Sequence, residues 1–239
     1  MGLSIAMKIN FPLLALAVGA FAIGTTEFSP MGFLPEIAND LSVSIPQAGL
    51  LISAYAVGVM IGAPLMTLWL ARFPKKTALI LLMAIFTIGN VLATVAPDYM
   101  SLLGARLITS LNHGAFFGLG SVVAASVVPK DKQASAVSMM FMGLTIANIG
   151  GVPLATWLSQ NTSWRMAFAA ISILGIMTML ALWKALPQDH DVVKPNVAKG
   201  LRVLTRAPVV LALLTTVMSA AQCLRYIPTL LRVYTYLCR

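Results

Sequence analysis

Two ionisable residues lie within one apolar stretch of the chain, Arg106-Leu-Ile-Thr-Ser-Leu-Asn-His-Gly-Ala-Phe-Phe-Gly118. Arg106 and His113 are seven residues apart, so a continuous helix would place both on one face, about 10 Å apart along its axis. Hydrocarbon disfavours an arginine at the centre of a helix by about 2.5 to 3.5 kcal/mol, so such residues usually face a bundle interior or a water-filled cavity. One interpretation of this pattern is proton or substrate binding inside a membrane. A histidine hydrogen-bonded within the core is an equally good interpretation of His113.

Glu27 is the only acid in the interior of an apolar run, within Gly24-Thr-Thr-Glu-Phe28. It lies six residues before the end of its run, and Arg106 lies seven residues after the start of another, so both sit about 9 to 10 Å inside. If the two helices touch, an ion pair or a proton-dependent pair can form. In the alternative, Glu27 reaches the membrane surface and Arg106 caps backbone carbonyls. The candidate proton-coupling residues are Glu27, Arg106 and His113.

Four further polar residues are candidates for lining a substrate cavity: Asn90, Asn112, Thr145 and Asn148. Hydrogen bonding between helices is their default role. A membrane enzyme is not expected, because the two histidines lie far apart and only one acid is inside a span. No cofactor or metal is expected, and the two cysteines, Cys223 and Cys238, provide no metal site.

The composition is that of an integral membrane protein. Hydrophobic residues make up 59% of the 239 residues and charged residues only 10%, with a mean hydropathy of +0.90. Soluble domains carry about 25% charged residues. A span needs about 20 apolar residues, which predicts an all-α membrane protein with six spans. They lie near residues 11–33, 48–70, 77–96, 99–123, 134–158 and 166–183.

Basic residues predict the orientation. If the N-terminus is cytoplasmic, eleven basic residues lie inside and only Arg165 lies in an outside loop. The positive-inside rule then predicts a cytoplasmic N-terminus. It also explains the net charge of +9 without a nucleic-acid partner. The inside residues are Lys8, Arg72, Lys75, Lys76, Lys130, Lys132, Lys184, Lys194, Lys199, Arg202 and Arg206.

Small residues cluster in the second and fifth predicted spans. The clusters are Gly58, Gly62, Ala63 and Pro64, and Gly143, Ala147, Gly150, Gly151, Pro153 and Ala155. Small residues let helices approach closely, and packing alone is one interpretation. The two spans also occupy the same place in consecutive triplets, which must insert with opposite topology. The sequence therefore predicts 3+3 inverted repeats.

The chain resembles the major facilitator superfamily, in its drug/proton antiporter branch and its sugar-efflux and arabinose-transporter-like group. The resemblance rests on Gly24-Thr-Thr-Glu-Phe-Ser-Pro-Met-Gly32, Ser44-Ile-Pro-Gln-Ala-Gly49, Leu51-Ile-Ser-Ala-Tyr-Ala-Val-Gly58, Leu111-Asn-His-Gly-Ala-Phe-Phe-Gly118 and Trp164-Arg165. It implies twelve spans in two six-helix bundles around a central cavity. It further implies a monomer in the bacterial inner membrane that exports drugs or sugars by alternating access in exchange for protons.

The resemblance also assigns roles to residues. Glu27 and Arg106 match the residues associated with proton coupling, and Gly143, Gly150, Gly151 and Pro153 match the antiporter motif, although Val152 separates glycine from proline. Arg72, Lys75 and Lys76 match a cytoplasmic gating loop. In that loop Ala71 replaces the usual aspartate and Pro74 a glycine, which departs from the family pattern.

Three regions are predicted: a six-span bundle at 1–186, a cytoplasmic linker at 187–207, and an incomplete seventh span with an aberrant tail at 208–239. The seventh apolar run, Val209 to Ala221, is 13 residues long, short of the roughly 20 that a span needs. Back-translated with suitable codons, the segment that follows resembles the family when shifted by one base. The alternative to an active exporter is therefore an inactive, truncated half-transporter from a frameshifted gene.

This alternative predicts a specific DNA sequence. We expect the genomic DNA and transcript across codons 218 to 239 to contain a frame, displaced by one base, that continues the seventh span. Sequencing of both nucleic acids tests this directly. The absence of any such frame would contradict the frameshift hypothesis.

Overall fold

The computed structural model describes residues 10–187 and Leu211. The predicted linker and seventh span therefore lie outside the described residues, apart from residue 187 and Leu211. The chain divides into two units, Met1–Val193 and Lys194–Arg239, each taken by itself. The fold below is that of the first unit.

The described part contains six helical segments long and apolar enough to cross a membrane. We number them span 1 to span 6: Phe11–Gly32, Ile45–Leu70, Lys75–Thr94, Tyr99–Ser126, Lys130–Asn161 and Trp164–Ala185. Each overlaps one predicted span almost completely. The prediction of an all-α, six-span membrane bundle is confirmed.

Four spans are single helices, and two are interrupted. Span 4 breaks at Leu111 and Asn112, and span 5 contains a π-helical turn, Ala147–Gly151, which ends two residues before Pro153. Proline has no N–H to donate, and a π turn is one way to accommodate the gap. The α-helices are α1 Phe11–Gly32, α2 Leu34–Asp40, α3 Ile45–Leu70, α4 Lys75–Thr94, α5 Tyr99–Ser110, α6 His113–Ser126, α7 Gln133–Ile146, α8 Val152–Asn161 and α9 Trp164–Ala185.

The helix packing follows a two-fold pattern. Span 2 packs on span 4 and span 5 packs on span 1, while spans 3 and 6 pack on each other. Span 1 also contacts span 6, and span 4 contacts span 3. Exchanging the first three spans with the last three maps these five contacts onto themselves as a set, whereas the contact between spans 5 and 6 has no comparable counterpart between spans 2 and 3. The packing therefore agrees with the predicted 3+3 repeats.

Glycines sit where these pairs approach most closely. On span 2, a Cβ at Gly58 would overlap the Ser110 hydroxyl of span 4. On span 5, a Cβ at Gly143 would overlap the Ala17 carbonyl of span 1. The close-packing role predicted for Gly58 and Gly143 follows from these contacts.

Arg165 links several segments at one end of the bundle, which we call the acidic end after Asp40. Its guanidinium pairs with the carboxylate of Asp40 and donates to the Ala96 carbonyl at 3.0 Å. The Trp164 indole N–H also donates to Asp40, at 3.0 Å. The hydrogen bond from Arg165, assisted by that from Trp164, holds the pKa of Asp40 below its usual value. The stabilisation is therefore complete above about pH 3.9 and is lost as pH falls through the lowered pKa.

The opposite end, which we call the basic end, carries the residues assigned to the gating loop. Lys76 donates to the carbonyl of Leu186, just after α9, at 2.7 Å. Arg72 is exposed and donates from Nε to the Trp69 carbonyl at 2.9 Å, and Lys75 begins α4. Lys76 thus connects the loop after span 2 to the end of span 6.

An added methyl group should destabilise the bundle at one glycine of the antiporter motif and leave it unaffected at another. Gly143→Ala should destabilise the bundle by about 1 to 3 kcal/mol, because the methyl group would meet the Ala17 backbone. Gly150→Ala is the matched control, since nothing lies within 4 Å of its Cβ position. Thermal unfolding in detergent measures both. Equal losses from the two variants would contradict the packing role.

Candidate functional site

Arg106 is buried in the middle of the bundle with 1% of its surface exposed. Its guanidinium donates from one terminal nitrogen to the backbone carbonyl of Thr26 in span 1, at 2.9 Å. In an α-helix that carbonyl would accept from the N–H of residue 30, but residue 30 is proline. Arg106 therefore supplies the donor that Pro30 lacks. Arg106 thus makes the carbonyl contact that its alternative role describes, and its part in proton coupling stays a prediction.

The ring of Tyr55 covers the Arg106 guanidinium. Cζ of Arg106 lies 4.2 Å from the ring centroid of Tyr55 and 5.9 Å from that of Phe168. A desolvated cation–π contact of this kind contributes up to about 2 kcal/mol. The Nε and second terminal nitrogen of Arg106 have no hydrogen-bond partner among the described residues. The positive charge is thus held mainly by one carbonyl and aromatic faces.

Tyr55 also contacts His113. Its hydroxyl lies 3.2 Å from Nδ1 of His113, and Nε2 of the same imidazole lies 3.8 Å from Oε2 of Glu27. Arg106 and His113 therefore both contact the same side chain of span 2, that of Tyr55, although span 4 is interrupted between them. Glu27, Tyr55, Arg106 and His113 form what we call the buried polar cluster.

Glu27 contacts His113 and does not form the ion pair with Arg106 that the matched depths suggested. The depths do match, since Arg106 bonds the residue directly before Glu27. However, the Arg106 guanidinium is occupied by the Thr26 carbonyl and by Tyr55. The carboxylate instead points toward the imidazole, and 27% of its side chain is exposed.

The partial exposure of the Glu27 side chain distinguishes it from the other members of the cluster. The side chain of His113 is 15% exposed, and Arg106 and Tyr55 are almost fully buried. Within the cluster, the Glu27 side chain is therefore the most exposed and His113 is the next. An intramembrane carboxylate beside an imidazole is typical of proton relays in transporters.

The predicted cavity residues divide into two pairs. Asn90 is fully buried and already engaged, since it accepts from the Thr26 hydroxyl at 2.6 Å and donates to the Phe86 carbonyl at 2.9 Å. Asn112 is also fully buried, and its amide has no partner among the described residues. Neither side chain faces an open cavity. Thr145 and Asn148 are exposed.

A row of aromatic side chains, Phe117 and Phe141, extends from His113 to the helix that carries Thr145 and Asn148. His113 lies 5.1 Å from Phe117, and Phe117 stacks on Phe141 of span 5 with 5.2 Å between ring centroids. The spacing of residues 141, 145 and 148 places them on one face of the helix. The side chains of Phe141, Thr145 and Asn148 are all exposed, and Phe141 is the one that contacts Phe117.

The antiporter motif packs on the helix that carries Glu27. Gly151 lies against Thr25 and Phe21 of span 1, and Gly143 against Ala17. Gly150 faces open space, and Pro153 is exposed at the start of α8. Arg72 and Lys76 lie at the basic end, outside the cluster.

Sequence reasoning did not select Tyr55, Thr26, Phe117 or Phe141. Tyr55 lies in one of the stretches that carry the family resemblance, and His113 and Phe117 are four residues apart on one helix face. The spacing of His113 and Phe117 could therefore have identified Phe117 from the sequence. No sequence pattern pairs a tyrosine of span 2 with an arginine of span 4.

Comparison with known proteins gives a consistent family. The family described as Major Facilitator Superfamily matches residues 16–237. "Inner membrane transport protein YdhP" of Escherichia coli (strain K12) is 63% identical over 231 residues, covering 97% of this chain and 58% of that protein. "Probable sugar efflux transporter" of Pasteurella multocida is 31% identical and covers 73% of this chain and 43% of that protein.

The fold has solved counterparts. The crystal structure of the peptide transporter POT in complex with sulfate matches with a TM-score of 0.67 at 13% identity. The match covers 91% of this chain and 46% of that one. The chain thus spans 58% of the YdhP sequence and about half of this structure.

The contact between Arg106 and the Pro30 gap predicts an energetic coupling. Arg106→Met should cost less stability in a Pro30→Ala background, because the new N–H can satisfy the Thr26 carbonyl. The difference should be roughly 1.5 to 3 kcal/mol, the value of a hydrogen bond to a charged group. Denaturant titration of the four proteins in micelles measures it. Pro64→Ala in span 2 is the control and should be additive with Arg106→Met; additivity of Pro30→Ala would contradict the capping.

Proposed function

Because the chain belongs to the major facilitator superfamily, we propose that it takes part in proton-coupled efflux of small molecules by alternating access. The proposed membrane is the bacterial inner membrane, with the N-terminus and the basic end on the cytoplasmic side. The chain covers 58% of the YdhP sequence, so the proposal concerns what the six-span bundle contributes to transport.

The observation that supports proton coupling is the position of Glu27. It is the acid inside a span, its carboxylate is partly exposed, and it lies 3.8 Å from the imidazole of His113. A proton arriving at the open side can bind Glu27 without passing through the apolar core. Arg106 lies in the same cluster, bonded to the carbonyl of the residue directly before Glu27.

The aromatic side chains near Glu27 support the proposal that the substrate is a small molecule. Phe117 and Phe141 offer apolar surface, and Thr145 and Asn148 add a hydroxyl and an amide on the same side. This combination suits an amphipathic drug, and its polar part suits a sugar, as in the name of the Pasteurella relative. The bulk of this surface is apolar, which is typical of small-molecule sites.

Replacement of Glu27 tests the proposal. Glu27→Gln should abolish proton-dependent export while the protein still inserts, because the amide keeps the shape and cannot carry a proton. Everted vesicles from cells producing the full chain should be assayed with a panel of drugs and sugars, with and without a pH gradient. Asp131→Asn is the control, since Asp131 is exposed at the basic end.

Two results would count against the proposal. Gradient-dependent movement that is equal in wild-type and Glu27→Gln vesicles would assign the proton to another group. Movement that ignores the gradient in both would remove proton coupling and leave facilitated diffusion.

A further inference from the structure

The hydroxyl of Tyr55 has a single described partner, the Nδ1 atom of His113, and this contact determines where the imidazole carries its proton. We propose that Tyr55 is a positioning residue that holds His113 in the tautomer with hydrogen on Nε2, directed at Glu27. The importance of this tautomer for transport rests on the proposed function. The tautomer itself does not.

The argument begins with the hydroxyl. Tyr55 is buried, with 3% of its surface exposed, and a buried O–H that makes no hydrogen bond costs about 1 to 3 kcal/mol. Among the described residues the acceptor within reach is Nδ1 of His113, at 3.2 Å. The phenol therefore donates to Nδ1, and Nδ1 must carry a lone pair. A neutral imidazole with a free Nδ1 holds its hydrogen on Nε2.

The second ring nitrogen supports the same assignment. Nε2 faces Oε2 of Glu27 at 3.8 Å, and an ionised carboxylate only accepts. A lone pair on Nε2 would oppose the carboxylate lone pairs. Hydrogen on Nε2 makes the contact favourable, so both ends of the imidazole favour one tautomer.

The position of the hydroxyl is itself fixed. The Tyr55 ring lies under the Arg106 guanidinium at 4.2 Å and meets the His113 ring edge to face, with centroids 6.0 Å apart and planes at 84°. Arg106 is anchored in turn on the Thr26 carbonyl. The anchored guanidinium thus sets the ring of Tyr55, and the ring sets its hydroxyl. Spans 1, 2 and 4 together fix the orientation of one imidazole.

The consequence concerns Glu27. A neutral His113 that presents Nε2–H stabilises the carboxylate without placing a second charge in the membrane. When Glu27 binds a proton, no bond to His113 has to break, because the imidazole keeps its own hydrogen. Tyr55 therefore acts on Glu27 through His113 and touches neither proton nor substrate.

Tyr55→Phe tests the proposal, since it removes the hydroxyl and keeps the ring that covers Arg106. The chain contains two histidines, so His190→Gln leaves His113 as the single source of imidazole signals. The full chain, labelled with ¹⁵N-histidine and placed in lipid nanodiscs, is observed by NMR near neutral pH. Tyr99→Phe is the matched control, because it deletes an exposed hydroxyl that donates to the Gln47 carbonyl.

We expect the parent protein and Tyr99→Phe to show a protonated Nε2 and an Nδ1 resonance typical of a nitrogen that accepts a hydrogen bond. In Tyr55→Phe the Nδ1 resonance should move to that of a free acceptor, or the signals should average between tautomers. A protonated Nδ1 in the parent protein would overturn the proposal. So would unchanged Nδ1 and Nε2 resonances in Tyr55→Phe.

These readouts are independent of transport. Suppose that Tyr55→Phe loses the Nδ1 hydrogen bond and that export by the parent protein does not depend on the pH gradient. The positioning role would then be intact, and the proposed function would be contradicted. Glu27-dependent export together with unchanged resonances would do the reverse. The thermal unfolding midpoint of Tyr55→Phe shows that the spectral change belongs to a folded protein.

Discussion

A guanidinium buried among apolar helices must find its partners inside the protein, and this requirement shapes the centre of the bundle. The effective penalty for burying an ion is several kcal/mol even after relaxation. Arg106 meets it with a carbonyl that Pro30 leaves free and with the face of Tyr55. Because these come from spans 1 and 2, satisfying one charge in span 4 fixes the relative positions of three helices. Glu27 and His113 then occupy the space that remains.

Hydropathy and charge predicted the fold well because a membrane restricts a chain to a few solutions. Six spans were predicted within a few residues, since each needs a fixed length of apolar sequence. Matching depths also brought Glu27 and Arg106 to one level correctly. The partners at that level were not predicted. They depend on the rotation of each helix about its axis, which packing determines and a single sequence does not report.

Two particular residues show this limit. Asn90 resembled a cavity residue because it is polar within a span, yet its amide bonds Thr26 and the Phe86 carbonyl inside the core. Tyr55 was not selected as a candidate from the sequence, yet it connects Arg106 with His113. Polarity in the sequence indicates that a hydrogen bond is needed. It does not indicate whether a neighbouring helix or a bound molecule supplies it.

The contacts of Arg165 have a mechanical consequence. Asp40 follows span 1, Ala96 follows span 3, and Arg165 begins span 6, so one side chain ties together all three connections at the acidic end. A force applied to any one of these connections is shared by the other two. The helices that these three connections join are therefore linked at that end through a single side chain.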